Sequence, residues 1–308
     1  MGITLSGEYM TEKGESQAAA LGKWAVVDIE TNGIDPTNDS IIDLGILEFE
    51  GVKLVRKTES LVRLPQTIDR HAELPHFIQK LTGISPKMLK NAPPWQEVKI
   101  QLQELSEHTL IAHNSDFEQG FLQEALDEVG ATSSFEDSIP FLSLLFPERS
   151  SLNLESFIQE FWPGQSEEHR GLADSIDLLK VLLVSLTLFR EDHNQWMTLH
   201  SLFEKHQCQH YWFFKFFKLE SEDLLELASA IDFPLAEKIK DLKAKGGSSE
   251  RPVKVEAPKD LTFSGENVKE MLRDSDRVKE ALPHYRHREA QEKLAMRVGQ
   301  AFNNDVHA

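Results

Sequence analysis

The sequence predicts an α/β domain over residues 23–190, followed by a helical extension. Three observations carry that expectation. Short apolar, strand-like runs come first in the chain. Strand runs and amphipathic helical stretches then mix as far as about Phe189. Beyond that point the apolar pattern is helical, rich in aromatics, and carries no further strand signal.

Each element has its own local reason. Lys23 to Ile29 (KWAVVDI) is a short apolar run entered from polar sequence, as a buried strand would be. Thr31 to Ser40 is rich in turn residues and reads as a loop. Ile41 to Glu50 and Lys53 to Leu64 are strand-like and meet at Gly51, which predicts an antiparallel hairpin. Ala72 to Leu81 and Trp95 to Ser106 read as helices, the second announced by Pro93-Pro94. Thr109 to Ala112 is another short buried strand. From Ser115 to Val129 the apolar residues fall at helical spacing, and Gly130 follows as a stop. Leu152 to Phe161 and Leu172 to Leu188 are further amphipathic helices.

Around this domain the chain divides by composition. Residues 1–22 read as a polar, flexible lead-in without the basic cap and apolar core of a secretory signal. Residues 191–245 form a helical spacer. Residues 246–258, with Gly246-Gly247-Ser248-Ser249, Pro252 and Pro258, form a linker, and 259–308 a helical tail. No uncharged apolar run approaches the roughly 18 residues that span a bilayer. Cys208 is the one cysteine, so no disulfide closes within the chain and no four-cysteine metal site exists. A reducing cytoplasm is the simplest setting.

The formal net charge of −18 argues against broad, sequence-blind duplex binding, which draws on Lys and Arg. The tail from Lys259 is neutral, with nine basic and nine acidic residues, so the deficit lies before it. An acidic chain can still grip nucleic acid where bound cations reverse the local sign.

The chemistry-bearing residues fall in three groups. Asp28 and Glu30 are two apart in a strand, so they share a face at its end. Like charges that close repel unless a cation answers them, although D-x-E alone is also an ordinary solvated strand end. His113-Asn114 ends the next buried strand, and Glu118 lies in the first turn of the following helix. The helix dipole favours an acid there whatever its function. His169 precedes Asp174 by five positions, about 500° of helix, so the two would not share a helical face. The better arrangement puts His169 in a loop and Asp174 near a helix start. A loop histidine can serve as a general base near neutral pH, or it is simply one of 12 histidines with no role. Together, four carboxylates and a histidine are the inventory for holding two hard divalent metals and activating a water against a phosphodiester.

These groups carry a resemblance. D-I-E-T-N-G, L-T-G-I (Leu81 to Ile84), A-H-N-x-x-F-E-x-G-F-L (Ala112 to Leu122) and H-R-G-L-A-D resemble, in order and spacing, the motifs of the DEDDh, or DnaQ-like, 3′→5′ exonucleases. The match runs from about Trp24 to Leu188. It implies a ribonuclease-H-like fold with a mixed sheet flanked by helices, two Mg²⁺ or Mn²⁺ ions, and release of nucleoside monophosphates from a 3′ end. Single-stranded DNA is the favoured substrate, with RNA as the alternative. By the resemblance Asp28, Glu30, Glu118 and Asp174 are metal ligands and His169 is the general base. Thr31, Asn32 and Gly33 meet the terminal nucleotide, Thr82, Gly83 and Ile84 pack on the last base, and Asn114 joins the substrate site. Glu118 stands where the family has aspartate, one methylene or about 1.3 Å longer, and Asn32 where it has a second threonine.

Two flanking features remain. Tyr211 to Lys218 (YWFFKFFK) reads as a buried or docking helix ahead of the alternative, a stacking platform for single strands. Tyr285 to Ala295 resembles the stretch before the nucleotide-binding loop of DinG-type helicases, in which Gln291 would contact adenine; its alternative is a plain amphipathic helix. No G-x-x-x-x-G-K-[ST] occurs, so a helicase domain would be a partner outside this sequence.

Overall fold

β1 (Lys23–Thr31) is the centre of the molecule because both of its faces are apolar. The computed structural model describes residues 17–65 and 74–244. β1 is flanked on one side by β2 (Ile41–Glu50) and β3 (Lys53–Leu61), and on the other by β4 (Thr109–Ala112) and β5 (Ser134–Asp137), in the order β3-β2-β1-β4-β5. β1–β2 and β2–β3 are antiparallel; β1–β4 and β4–β5 are parallel. The expected hairpin turns at Gly51, whose φ of +59° suits glycine. The sheet is therefore mixed and flanked by helices.

The helices are α1 (Gln17–Ala20), α2 (His76–Thr82), α3 (Pro86–Asn91), α4 (Trp95–Val98), α5 (Ser115–Glu128), α6 (Ser138–Leu145), α7 (Leu154–Phe161), α8 (Gly171–Phe189), α9 (His193–Lys205), α10 (Trp212–Phe217), α11 (Ser221–Ala230) and α12 (Leu235–Ala244). The helix expected over Trp95 to Ser106 is α-helical only to Val98 and continues as a 3₁₀ helix to Leu105. β5, α1, α3 and α6 are not predicted by the sequence pattern. β5 is four residues at a sheet edge, too short to show alternation.

Strand alternation sorts the side chains into two cores. Trp24 and Val26 of β1, with Leu47 and Phe49 of β2, join α8 in one. Ala25, Val27 and Ile29, with Leu44 and Ile46, join α5 and the 3₁₀ helix in the other. Continuing the alternation, Asp28 and Glu30 face α8. Their cross-strand partners are Gly45 and Asp43.

Two boundaries move. The expected spacer shares the α8-side core: Trp212 lies 4.9 Å from Trp24 by ring centroid, and Phe213 stacks on Phe141 at 4.7 Å. The core therefore has no break at residue 190. The aromatics of α10 are 0–2% exposed, so they are core residues and no stacking platform. The expected lead-in ends earlier than residue 22: Leu21 is buried in the same core, and Gly51 N–H donates to Gly22 O at 2.8 Å. Residues 1–16, the 246–258 linker, the 259–308 tail and Gln291 lie outside the described residues. Among the described residues, no helix is long and apolar enough to cross a membrane.

Candidate active site

The start of α8 rests on the backbone of β2. A Cβ added at Gly45 would lie 1.9 Å from the Gly171 carbonyl carbon and 2.0 Å from the Leu172 nitrogen. One added at Gly171 would lie 2.5 Å from Gly45 N and 2.8 Å from Asp28 O. Only two glycines permit this approach. It carries Asp174, in the first turn of α8, onto the end of β1 where Asp28 and Glu30 stand. Among the described residues, Glu30, His169 and Asp174 each offer a ligand atom within 4.8 Å of the others.

Asp28 and Glu118 stand near this group, and charges pass between them and it. Burial, followed by the charges of Glu118, Asp174, Glu30 and Glu167, holds the Asp28 carboxyl well above the usual carboxylate range. Burial first, then Asp174, Asp43 and Glu167, pushes Glu30 up to about 8. Glu118 reaches about 8, chiefly through burial, with Asp137 and Glu30 adding to it. Burial raises Asp174 to about 7, against the opposing hydrogen bond from Arg170 N–H at 3.0 Å. Burial also raises Glu167 to about 7. Carboxylates dominate this group, and, among the described residues, the one cation acting on it, Arg170, only partly offsets the rise at Glu30. Glu118 Oε2 and Asp174 Oδ1 are enclosed and have no hydrogen-bond partner. Unpartnered, enclosed carboxylate oxygens beside the Glu30, His169 and Asp174 group fit divalent cations, which prefer hard oxygen donors. Glu118 lies outside the three residues whose ligand atoms fall within 4.8 Å, although among the neighbouring charges its own acts most strongly on Asp28.

The remaining expected residues divide by exposure. His169 sits in a loop, as expected, with φ +51°, in the left-handed region. Thr31 and Asn32 are buried. Thr31 Oγ1 donates to Gly33 O at 2.5 Å, and Asn32 Oδ1 accepts from Ser40 N–H at 2.6 Å, so both shape the loop after β1. Thr82 Oγ1 donates to Ile78 O at 2.9 Å and accepts from Ile84 N–H at 3.1 Å, while Ile84 is wholly enclosed. Of Thr82, Gly83 and Ile84, only Gly83 is exposed, at the left-handed end of α2. Asn114 is exposed with φ +77°, and its N–H donates to Asp137 Oδ1 at 3.2 Å. His113 Nδ1 pairs with Ser138 Oγ at 2.8 Å, and burial lowers its pKa.

Gly45, Asp43, Asp137 and Glu167 contribute without belonging to any motif, and Arg170 and Gly171 stand inside H-R-G-L-A-D with no role that the motif assigns. A glycine and an aspartate inside the apolar run IIDLGIL were the available signal for two of them, since each needs a reason in a buried strand.

A family model described as exonuclease, the RNase T family, matches residues 25–182, half of the chain. The chain belongs to this exonuclease family. It is 29% identical over 181 residues to a PolC-type DNA polymerase III of Caldanaerobacter subterraneus subsp. tengcongensis, covering 58% of this chain and 12% of that protein. It is 25% identical over 175 residues to the 3′-5′ exonuclease DinG of Staphylococcus aureus, covering 56% and 19%. The chain thus spans a small part of the length of these relatives. Among solved structures, E. coli exonuclease I with a dA16 oligonucleotide aligns at 15% identity and TM-score 0.43, over 58% of this chain and 45% of that one. As a member of the exonuclease family, the chain carries the family's region where the carboxylate cluster lies.

Proposed function

We propose that the chain is a metal-dependent 3′→5′ exonuclease that removes nucleoside monophosphates from nucleic-acid 3′ ends, with single-stranded DNA as the favoured substrate. The observation that carries this reading is the convergence of Glu30, His169 and Asp174 within 4.8 Å, with the charges of Asp28 and Glu118 acting on the same point. Asp28, Glu30, Glu118 and Asp174 would hold two divalent ions, Mg²⁺ or Mn²⁺. The chemistry such ions supply is charge neutralisation at the scissile phosphate and a more acidic attacking water.

The chain's own residues do the rest. His169 takes the proton of the attacking water at an imidazole nitrogen. The loop from Thr31 to Gly33, shaped by its internal hydrogen bonds, receives the terminal nucleotide. Gly83 and Asn114, both exposed, are the remaining positions that the motif resemblance assigns to the substrate. The similarity to the 3′-5′ exonuclease DinG supports the direction of cleavage. The test is digestion of 3′-labelled DNA and RNA oligonucleotides with Mg²⁺ and with Mn²⁺. Monophosphate release that requires the metal is the expected result. Folded protein that releases none with either ion overturns the reading. It would favour instead a catalytically weak module that binds 3′ ends or partners, the alternative that Glu118 in place of aspartate supports.

A further inference from the structure

The segment carrying His169 is held by an ion pair at the edge of the carboxylate cluster, next to Glu30. Asp43 is completely buried and lies directly across from Glu30 in the β1–β2 register. A buried aspartate beside a second carboxylate is unfavourable unless a cation answers it. Arg170 does so: its Nε donates to Asp43 Oδ2 at 2.7 Å, and its Nη2 donates to Glu59 Oε1 on β3 at 2.9 Å. Asp43 Oδ2 also accepts from Gly171 N–H at 3.3 Å. The Arg170 N–H donates to Asp174 Oδ2 at 3.0 Å, and its carbonyl accepts from Asp174 N–H at 2.9 Å. One arginine is therefore tied through side chain and backbone to β2, β3 and the first turn of α8.

His169 is the residue immediately before it. A left-handed φ on a residue with a β-carbon costs on the order of 1 kcal/mol and persists only where the surroundings over-determine it. Here the over-determination comes from the far side of the peptide, through Arg170. The guanidinium fork fits this task, because it reaches two carboxylates at once in a fixed geometry.

We infer that the Asp43–Arg170 ion pair is a positioning device for His169, anchoring the loop so that the imidazole faces Glu30 and Asp174. This rests on the reading of His169 as the general base. Arg170 acts through its neighbour and through Asp43.

A double-mutant cycle tests it, with kcat and KM measured on a 3′-labelled single-stranded DNA oligonucleotide at saturating Mn²⁺. His169→Ala lowers kcat about 10²–10⁴-fold. Arg170→Gln lowers kcat about 10–100-fold and leaves KM within about twofold. Placed in the His169→Ala background, Arg170→Gln causes no further loss, because the group it positions is gone. Arg170→Lys recovers part of kcat, since it keeps the charge toward Asp43 and loses the fork. Calorimetric Mn²⁺ binding stays at the wild-type level throughout. Losses that multiply in the double variant overturn the inference, as do wild-type kcat in Arg170→Gln or a loss confined to Mn²⁺ affinity. Should Arg170→Gln fail to fold, Glu59→Gln takes its place in the cycle, removing only the outer, half-exposed partner. It is expected to lower kcat severalfold and to lose that effect in the His169→Ala background; equal effects in both backgrounds overturn the inference. An inactive wild-type chain strikes instead at the general-base reading beneath it.

Discussion

The end of β1 and the helices from His193 to Ala244 use burial in opposite ways. At the end of β1, burial encloses Glu118 and Asp174 at 3% and 4% exposure, leaves one oxygen of each unpaired, and raises the pKa of every carboxylate in the cluster. In the helices, burial encloses Trp212, Phe213, Phe214, Phe216 and Phe217 at 0–2%. Trp212 Nε1 also lacks a partner there, yet a neutral indole N–H costs far less to bury than a carboxylate. The first region destabilises the metal-free fold and the second stabilises it. The helices are thus the counterweight that allows an acidic cluster to sit inside a folded domain.

The strongest way to break this comparison is to remove the counterweight. A chain ending at residue 190 uncovers Trp24, Phe141 and Phe189, and each fully exposed aromatic forfeits roughly 1.5–3 kcal/mol. Such a chain is expected to be insoluble or unfolded by circular dichroism and gel filtration. A monomer with wild-type melting behaviour would show that the helices are a mere appendage.

Next in size is the removal of one carboxylate. Asp28→Asn is expected to lower kcat by about 10³-fold or more, roughly 4 kcal/mol at the barrier. The metal-free variant should melt no lower than the wild type, because the substitution relieves a buried like-charge group. A variant that loses activity and stability together would mean that the site does not strain the fold.

A smaller effect follows from pH. Glu30 and Glu118 near 8 and Asp174 near 7 lie above the usual carboxylate values, so the folded state binds more protons than the unfolded one. Their contribution is fully present below about pH 4 and is lost as pH rises through 7 to 8. Metal-free protein should therefore melt lower at pH 8 than at pH 6, by about 2–4 °C for each kcal/mol. Mg²⁺ or Mn²⁺ should raise the melting temperature more at pH 8 than at pH 6. Differential scanning fluorimetry with a chelator or added metal reads both, and equal metal shifts at the two pH values would contradict the buried-anion picture.

The smallest expected change is at Glu118. Its carboxylate already acts on Asp28 and Glu30 from within the protein, so Glu118→Asp retracts it by about 1.3 Å. A change in kcat within about tenfold, without a gain, is expected. A gain of orders of magnitude would mark the natural site as slack.

Much of the fold was legible because it rests on local rules. The apolar run in KWAVVDI, the glycine at the hairpin, and the helical spacing after Ser115 each report backbone geometry within a few residues. The motif residues Asp28, Glu30, Glu118, His169 and Asp174 were likewise recognisable in order and type. The clamp of Asp43 and Arg170, 127 positions apart in the chain, had no local signature. Nor did the packing of Gly45 against Gly171, although a lone glycine in a buried strand hints at a close neighbour. The segment Thr82 to Ile84 was recognised as a motif, but its mostly inward-turned side chains follow from packing against Ile42 and Ile78.

By itself, then, the sequence determined which groups are available and which faces of strands and helices carry them, because side-chain period and capping are short-range. Tertiary structure alone decided that Glu30, His169 and Asp174 meet within 4.8 Å, with Asp28 and Glu118 near enough for their charges to act on the group, and that a guanidinium pairs with Asp43 beside the histidine loop. It also decided that helices written like a spacer complete the core. Those outcomes depend on two glycines letting a helix touch a strand and on aromatic surfaces finding each other across the chain, and neither is encoded in any single stretch of residues.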